Sequence, residues 1–179
     1  MKKYFFTITL TVLIALGAWV WVNQTFETPQ APLPDQLQII GNIDRILIEK
    51  TKRRLTLYQD QKAVRIYQMA LGFSPDGDKI KEGDGKTPEG IYKINRRNPN
   101  SNYTLSLGID YPLAEDKERA RVGGYNAGGD IFIHGQPNNL PDNLKLKGDW
   151  TAGCIALTNA EMREIWEAAP IGTEVEITP

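Results

Sequence analysis

The sequence predicts a mainly β domain with one helix in its C-terminal half, preceded by an apolar N-terminal segment and a proline-rich linker. Three observations support this prediction. Short apolar runs with alternating polar neighbours recur from Ile43 onward, as in half-buried strands. Clusters of Gly, Pro, Asp and Asn separate these runs and are typical of turns and loops. Only the stretch after Thr158 combines a helix-start signature with apolar residues at helical spacing.

Length and composition favour one domain with an appendage. The chain has 179 residues and carries 21 Lys and Arg against 22 Asp and Glu. Because no basic run stands out, the charge pattern of a nucleic-acid-binding protein is missing. One cysteine cannot form an intramolecular disulfide, and with a single histidine it is a poor basis for a zinc site. We therefore expect no metal, no cofactor and no nucleic-acid partner.

Residues 1–22 predict a transmembrane anchor. Lys2 and Lys3 precede an uncharged, mostly apolar run of nineteen residues from Tyr4 to Val22. Such a run is long enough to cross a bilayer as a helix. Its length favours an uncleaved anchor over a cleaved signal sequence, which is the alternative. The two lysines place the N-terminus in the cytoplasm, so the rest of the chain would be exported.

Residues 23–42 predict a linker and residues 43–179 the folded domain. The linker contains three prolines amid polar residues and cannot bury enough apolar surface to fold. In the domain, residues 111–130 include a charged stretch that suits one helical turn, and residues 72–89 predict a loop. The strand signals fall at 47–71 (a meander of three strands), 91–95, 103–109, the apolar runs beside His134 and Cys154, and 174–178.

The predicted helix begins with a capping-box pattern. Thr158 is followed three residues later by Glu161, and the helix would continue through Ala168. The long segment 136–150 lies between two strands. A loop of this length inside a domain is usually functional, and we interpret it as the rim or lid of a site.

The single cysteine and the single histidine give the chain one Cys–His pair. Cys154 begins one apolar run, and His134, twenty residues upstream, ends another. A thiol becomes a useful nucleophile when an imidazole takes its proton or stabilises the thiolate. Gly153 and Gly135 lie beside them and allow a substrate or a second backbone to approach. A buried structural cysteine is the alternative for Cys154 taken alone.

Two motifs in the same order resemble the L,D-transpeptidase catalytic domain family (YkuD-like). His134-Gly135 and then Thr151-Ala152-Gly153-Cys154 resemble the family's His-Gly or His-Ser pair followed by Ser/Thr-x-Gly-Cys. Upstream, Thr87-Pro88-Glu89-Gly90 is similar to its Thr-Pro-x-Gly motif. The resemblance covers residues 44–178. It implies a β-sandwich fold and a cysteine-dependent transfer of peptidoglycan stem peptides.

Two positions depart from the family's usual pattern. Ala152 stands where many members carry a second histidine, which leaves His134 as the base candidate. Ala156 stands where many carry Arg or Asn, a usual contact of the substrate carboxylate. Both changes resemble a subgroup in which some members hydrolyse. The alternative is therefore a hydrolase of the same fold, either an L,D-carboxypeptidase or an amidase that releases a peptidoglycan-linked protein.

The residue types assign roles to the candidates. His134 would deprotonate or ion-pair with Cys154, and backbone N–H groups around Ala152 and Gly153 would form an oxyanion hole. The family implies that the carbonyl of Gly135 holds the imidazole in the right tautomer. Candidate substrate contacts are the neighbouring Trp150 and Thr151 and the nearest cations, Arg119, Arg121, Lys145 and Lys147.

The resemblance also implies the partners. The donor would be a peptidoglycan stem peptide, and the acceptor an amine of a second stem or of an envelope protein. An exported domain on a membrane anchor suits this substrate, so we expect a single-pass protein of the bacterial inner membrane with its domain in the periplasm. The alternative from another class is a non-catalytic envelope-binding module, which predicts an inert, buried Cys154.

Overall fold

The computed structural model describes residues 19, 21, 25–27 and 39–179. The predicted anchor, apart from positions 19 and 21, and most of the predicted linker lie outside the described residues. Within the described part of the chain, no helix has the length and apolar character needed to cross a bilayer.

The described residues form ten strands and two helices. The strands are β1 (Phe26–Glu27), β2 (Arg45–Glu49), β3 (Arg54–Gln59), β4 (Lys62–Gln68), β5 (Gly90–Asn98), β6 (Ser106–Ile109), β7 (Phe132–His134), β8 (Lys145–Leu146), β9 (Ile155–Ala156) and β10 (Glu174–Thr178). The helices are α1 (Ala114–Gly123) and α2 (Asn159–Ala168).

One curled sheet dominates the fold. Eight strands pair in the order β4-β3-β2-β10-β5-β6-β7-β9. The two edges of this sheet meet just after β4, where Ala70 and Ala156 exchange backbone hydrogen bonds of 2.9 Å. The expected β-sandwich is therefore a single sheet that bends until its edges touch. One cluster of buried apolar side chains joins its strands to α2.

The strand pattern confirms the mainly β prediction. The predicted three-strand meander corresponds to β2, β3 and β4, which pair antiparallel. β6 begins at Ser106, three residues later than predicted. The reason is local, because Thr104 and Leu105 have φ angles of 43° and 57°, which no extended strand adopts.

Helix α2 confirms the capping-box prediction. The Thr158 hydroxyl accepts from the N–H of Glu161 at 3.2 Å, and the Glu161 carboxylate accepts from the N–H of Thr158 at 2.8 Å. Met162 and Ile165 are fully buried on the face that meets the sheet. The sequence and the packing therefore agree on where this helix begins and which side it buries.

Helix α1 corrects the prediction of a single helix. The charged stretch forms ten residues of helix rather than one turn. The side chain of Asp116 accepts from the N–H of Leu113 at 2.9 Å, and Gly124 ends the helix with a φ of 70°. Only Asp116 and Ala120 are buried along its length, so no apolar periodicity marked it in the sequence.

The segment between His134 and Cys154 contains a strand that the sequence did not predict. β8 pairs antiparallel with β1, with Phe26 opposite Leu146. The N–H of Lys147 also donates to the carbonyl of Thr25 at 3.0 Å. A short part of the predicted linker is thus attached to the segment that the sequence suggests as a lid.

Candidate active site

Cys154 and His134 lie on neighbouring strands. β7 ends at His134, and β9 begins directly after Cys154. The two strands run parallel, with His134 opposite Ala156. Side chains two residues apart along an extended chain project to the same face, so Cys154 shares the face of Ala156 and His134. The sheet therefore places the thiol and the imidazole on the same face of two neighbouring strands.

The orientation of the His134 imidazole is set by its neighbours. Its Nδ1 lies 2.6 Å from the carbonyl oxygen of Gly135, so Nδ1 carries the proton and Nε2 keeps a lone pair. Burial lowers the pKa of His134 and outweighs the opposite effect of the Gly135 hydrogen bond. The ring is therefore neutral at pH 7. Tyr103 and Trp150 flank it, with ring centroids 4.9 Å and 5.8 Å away.

The thiol of Cys154 keeps its proton in this arrangement. Its Sγ donates to the carbonyl oxygen of Asp130 at 3.4 Å. Burial raises the pKa of Cys154, and the Asp130 carboxylate adds to this effect, whereas the Phe132 backbone and Lys79 oppose it. Burial therefore favours a neutral thiol and a neutral imidazole over a thiolate and an imidazolium.

A tight turn presents Cys154. The Oγ1 of Thr151 donates to the carbonyl of Cys154 at 2.7 Å and accepts from the N–H of Gly153 at 3.1 Å. Gly153 has a φ of 136°, and a Cβ there would lie 2.6 Å from the carbonyl oxygen of Lys86. Only glycine fits this conformation and this close contact.

The loop formed by residues 72–89 braces that turn from outside. Thr87 is fully buried and donates from Oγ1 to the carbonyl of Gly153 at 2.9 Å. Within the loop, Lys79 and Asp84 form a buried ion pair of 2.8 Å. Burial alone would raise the pKa of Asp84, but Lys79 and three backbone N–H groups lower it to about 2. Thr87 belongs to the Thr-Pro-x-Gly motif in the sequence, but no local pattern indicates this contact.

Three donors on residues 150–154 have no acceptor in the part of the chain that the structure describes. Among the described residues, the backbone N–H groups of Ala152 and Cys154 donate no hydrogen bond, whereas that of Gly153 is taken by Thr151. The buried Nε1 of Trp150 also has no partner in the described chain. Free donors next to a nucleophile can bind a substrate carbonyl or a developing oxyanion.

The segment 136–150 is tied down at both ends. Gln136 is fully buried. Its side-chain amide nitrogen donates to the carbonyl of Leu157, and its amide oxygen accepts from the N–H of Leu146. At the other end, Asp149 forms an ion pair of 2.7 Å with Arg53. Because Asp149 precedes Trp150, this pair helps to hold the indole against His134.

A cleft of about 830 Å³ opens at Cys154. Ala152, the glycine-rich residues 128–131 and side chains of α1 and β5 also line it. Its cations are Lys79, Arg96 and Lys117. Sequence reasoning missed all three as cleft residues, because they come from separate elements and no local pattern relates them to the cysteine.

The cations suggested by sequence lie elsewhere. Arg121 and Arg119 each pair with an acidic residue three positions earlier on α1, at 2.6 Å and 2.7 Å. Lys145 lines a separate pocket of about 290 Å³ beside Arg53 and Asp149. Lys147 is exposed on the segment 136–150. Within the described residues, no group of three His, Cys, Asp or Glu side chains is placed to hold a metal ion.

The sequence also matches the model of a known protein family. The family model of the L,D-transpeptidase catalytic domain (YkuD) matches residues 43–177. The chain is 29% identical over 136 residues to a protein of Escherichia coli K12 named as the L,D-transpeptidase YafK. This match covers 73% of the chain and 48% of YafK.

Solved structures share the fold. The helical cell shape determining protein Pgp2 of Campylobacter jejuni has a TM-score of 0.57 at 31% identity, over 76% of this chain and 48% of Pgp2. An L,D-transpeptidase from Xylanimonas cellulosilytica has a TM-score of 0.51 at 17% identity, over 79% of this chain and 63% of that structure. The chain spans about half the length of YafK and Pgp2.

Proposed function

The chain belongs to the L,D-transpeptidase catalytic domain family, and on this premise we propose that it transfers peptidoglycan stem peptides through a thioester on Cys154. The observation that carries the proposal is the tautomer of the His134 ring, in which Nδ1 carries the proton. Nδ1 is engaged by the Gly135 carbonyl, so the basic Nε2 is the nitrogen left for the thiol. The only cysteine of the chain lies on the neighbouring strand and shares the face of the sheet that His134 occupies.

The first step of the proposed reaction forms the thioester. The thiol turns from the Asp130 carbonyl to His134, and its proton moves to Nε2 as the sulfur attacks the carbonyl carbon of the third stem residue. The N–H groups of Ala152 and Cys154 donate to the oxyanion. When the C–N bond to the fourth residue breaks, the proton on Nε2 passes to the leaving amine.

The second step releases the acyl group. An amine from a second stem, or from an envelope protein, gives a proton to Nε2 while its nitrogen attacks the thioester carbonyl. The C–S bond breaks, and the sulfur recovers its proton from the imidazolium. Water in place of the amine gives hydrolysis, the outcome that Ala152 and Ala156 keep open. Trp150 and Thr151 border the reacting group, Trp150 as a free donor and Thr151 as the residue that shapes the turn.

The proposed location follows from the substrate. Peptidoglycan lies outside the cytoplasmic membrane, and the N-terminal apolar run is long enough for an anchor. We therefore place the catalytic domain on the periplasmic side of the inner membrane. The name of Pgp2, a cell shape determining protein, fits an enzyme that acts on the wall.

Product analysis tests the proposal. The full chain in a mild detergent, and its Cys154→Ala variant, would be incubated with disaccharide tetrapeptides and the products identified by mass spectrometry. Cross-linked dimers that are absent with the variant indicate a transpeptidase, and tripeptides alone indicate a hydrolase. Equal amounts of product from the two proteins would contradict a role for Cys154, and no product from either would favour a binding module.

A further inference from the structure

The cleft at Cys154 contains a guanidinium whose protein partner is weakly held. Arg96 pairs with Asp130 at 2.9 Å, and the two side chains are 49% and 80% exposed. Ion pairs in this setting are strongly screened by water and contribute little to stability. An incoming carboxylate can therefore replace Asp130 at small cost.

Although its partner is exposed, Arg96 itself is firmly placed. Arg96 lies opposite Gly108 in the pairing of β5 with β6, and Gly108 lies opposite Phe132 in the pairing of β6 with β7. The guanidinium passes over Gly108, where a Cβ would come within 3.0 Å of Nε. Its Cζ then lies 4.6 Å from the centroid of the Phe132 ring. The missing side chain of Gly108 is what lets Arg96 cross a whole strand.

This crossing brings the guanidinium to Asp130, the residue that also holds the sulfur. The carboxylate of Asp130 pairs with Arg96, and the carbonyl of the same residue accepts from the Cys154 thiol. Asp130 has a φ of 54°, which is uncommon for a residue with a side chain. Lys117 also lines the cleft and adds positive charge. The cation and the nucleophile are thus linked through a single residue.

We propose that Arg96 is the carboxylate anchor of the donor site, and that Asp130 occupies the anchor when no substrate is bound. The carboxylate is that of the residue that leaves when Cys154 attacks, so the inference rests on the proposed function. A planar guanidinium matches a carboxylate with two parallel hydrogen bonds. Ala156, at the position where the family's usual pattern has Arg or Asn, is fully buried and apolar, so Arg96 supplies the charge from β5.

The anchor predicts a preference for donors with a free C-terminus. A tetrapeptide acid should bind about 10- to 100-fold more tightly than its C-terminal carboxamide, the effect of a charge-assisted hydrogen-bond pair. Isothermal titration would measure both affinities with the full-length Cys154→Ala protein, which cannot turn over. Adding Arg96→Gln should remove the preference, because it weakens binding of the tetrapeptide acid and leaves binding of the carboxamide unchanged. Arg96→Lys should restore part of the preference.

Two further variants sharpen the test. Asp130→Asn keeps a residue type that tolerates a positive φ and frees Arg96, so it should tighten binding of the acid. Lys62→Gln removes an exposed cation at the start of β4 and should leave both affinities unchanged. Thermal unfolding of each variant would show that a lost preference does not come from a lost fold.

The outcomes separate the anchor from the activity. Equal affinity for acid and carboxamide, an Arg96→Gln effect of the same size on both, or no detectable binding of the acid would overturn the anchor. Turnover of the acid by the protein that retains Cys154 is measured separately. Product formation without a preference for the acid would support the proposed function and contradict the role of Arg96 as anchor. A preference for the acid without product formation would support the anchor and contradict the proposed enzymatic activity.

Discussion

At the residue scale, backbone carbonyls hold both proposed reacting groups. The carbonyl of Asp130 accepts from the thiol of Cys154, and that of Gly135 orients the ring of His134. Burial raises the pKa of the thiol and lowers the pKa of the imidazole, so the proton stays on sulfur. In the proposed mechanism the thiolate therefore forms when a substrate carbonyl is in place, and the resting thiol is protected from oxidation and alkylation.

The pH dependence of alkylation tests this resting state. The rate with iodoacetamide should rise with pH through a thiol pKa above the ordinary value of about 8.5, because burial disfavours the thiolate. Asp130→Asn should shift the profile to lower pH, since one of the groups that raise this pKa is removed. Fast alkylation with no pH dependence between about pH 5 and 8 would instead indicate a thiolate–imidazolium pair.

At the element scale, the loop formed by residues 72–89 controls the shape of the turn that carries Cys154. Thr87 holds the carbonyl of Gly153, and the Lys79–Asp84 pair holds the loop. These contacts join segments that are far apart in sequence. The turn therefore depends on a loop that contains none of the proposed reacting groups.

Thr87→Val tests that dependence. Valine keeps the shape of threonine but leaves the buried Gly153 carbonyl without its hydrogen bond, which should lower the free energy of unfolding by about 1–3 kcal/mol. The turnover number should fall further than the loss of folded protein explains, because the free N–H groups move with the turn. Thr87→Ser, which retains the hydroxyl, is the control. Wild-type stability and turnover in Thr87→Val would show that the bond is dispensable.

The two helices show what local sequence can and cannot predict. α2 was predictable because Thr158 and Glu161 cap it and its apolar face meets the core. α1 was not, because it is almost entirely polar on every side and buries little. Its stability comes from Asp116, from Gly124 and from acidic residues in its first turn, which are weaker signals than an apolar face.

At the scale of the whole molecule, the sequence predicts the candidate reacting groups but not the cleft around them. Cys154 and His134 are unique residues within short motifs, and the strands that carry them could be inferred from local patterns. The position of Arg96 depends on the pairing of β5, β6 and β7, which places Gly108 between Arg96 and Phe132. No local pattern encodes that register. The curl of the sheet has the same origin, since its edges meet through two backbone hydrogen bonds between Ala70 and Ala156.

The stability of the whole domain should vary with pH on both sides of neutrality. Below about pH 6.5 the unfolded chain protonates its histidine, whereas the buried ring has a lowered pKa, so stability falls as the pH falls. Above about pH 8.5 the unfolded chain ionises its cysteine, whereas the folded thiol has a raised pKa, so stability falls as the pH rises. Urea unfolding between about pH 5 and 10 measures both effects.

Two variants assign these effects to their residues. Cys154→Ala should reduce the alkaline decline, and His134→Gln should reduce the acid decline. An unchanged pH dependence in either variant would mean that the buried group does not contribute as described.

The most direct measurement of the central claim is the mass of the intact protein during turnover. After rapid mixing with a disaccharide tetrapeptide and an acid quench, the full chain should gain the mass of the donor without its fourth residue, attached at Cys154. His134→Gln should slow the appearance of this adduct by about 10²- to 10⁴-fold, the usual contribution of a general base, and Cys154→Ala should never show it. Product that accumulates with no adduct, or in the absence of Cys154, would contradict the thioester mechanism.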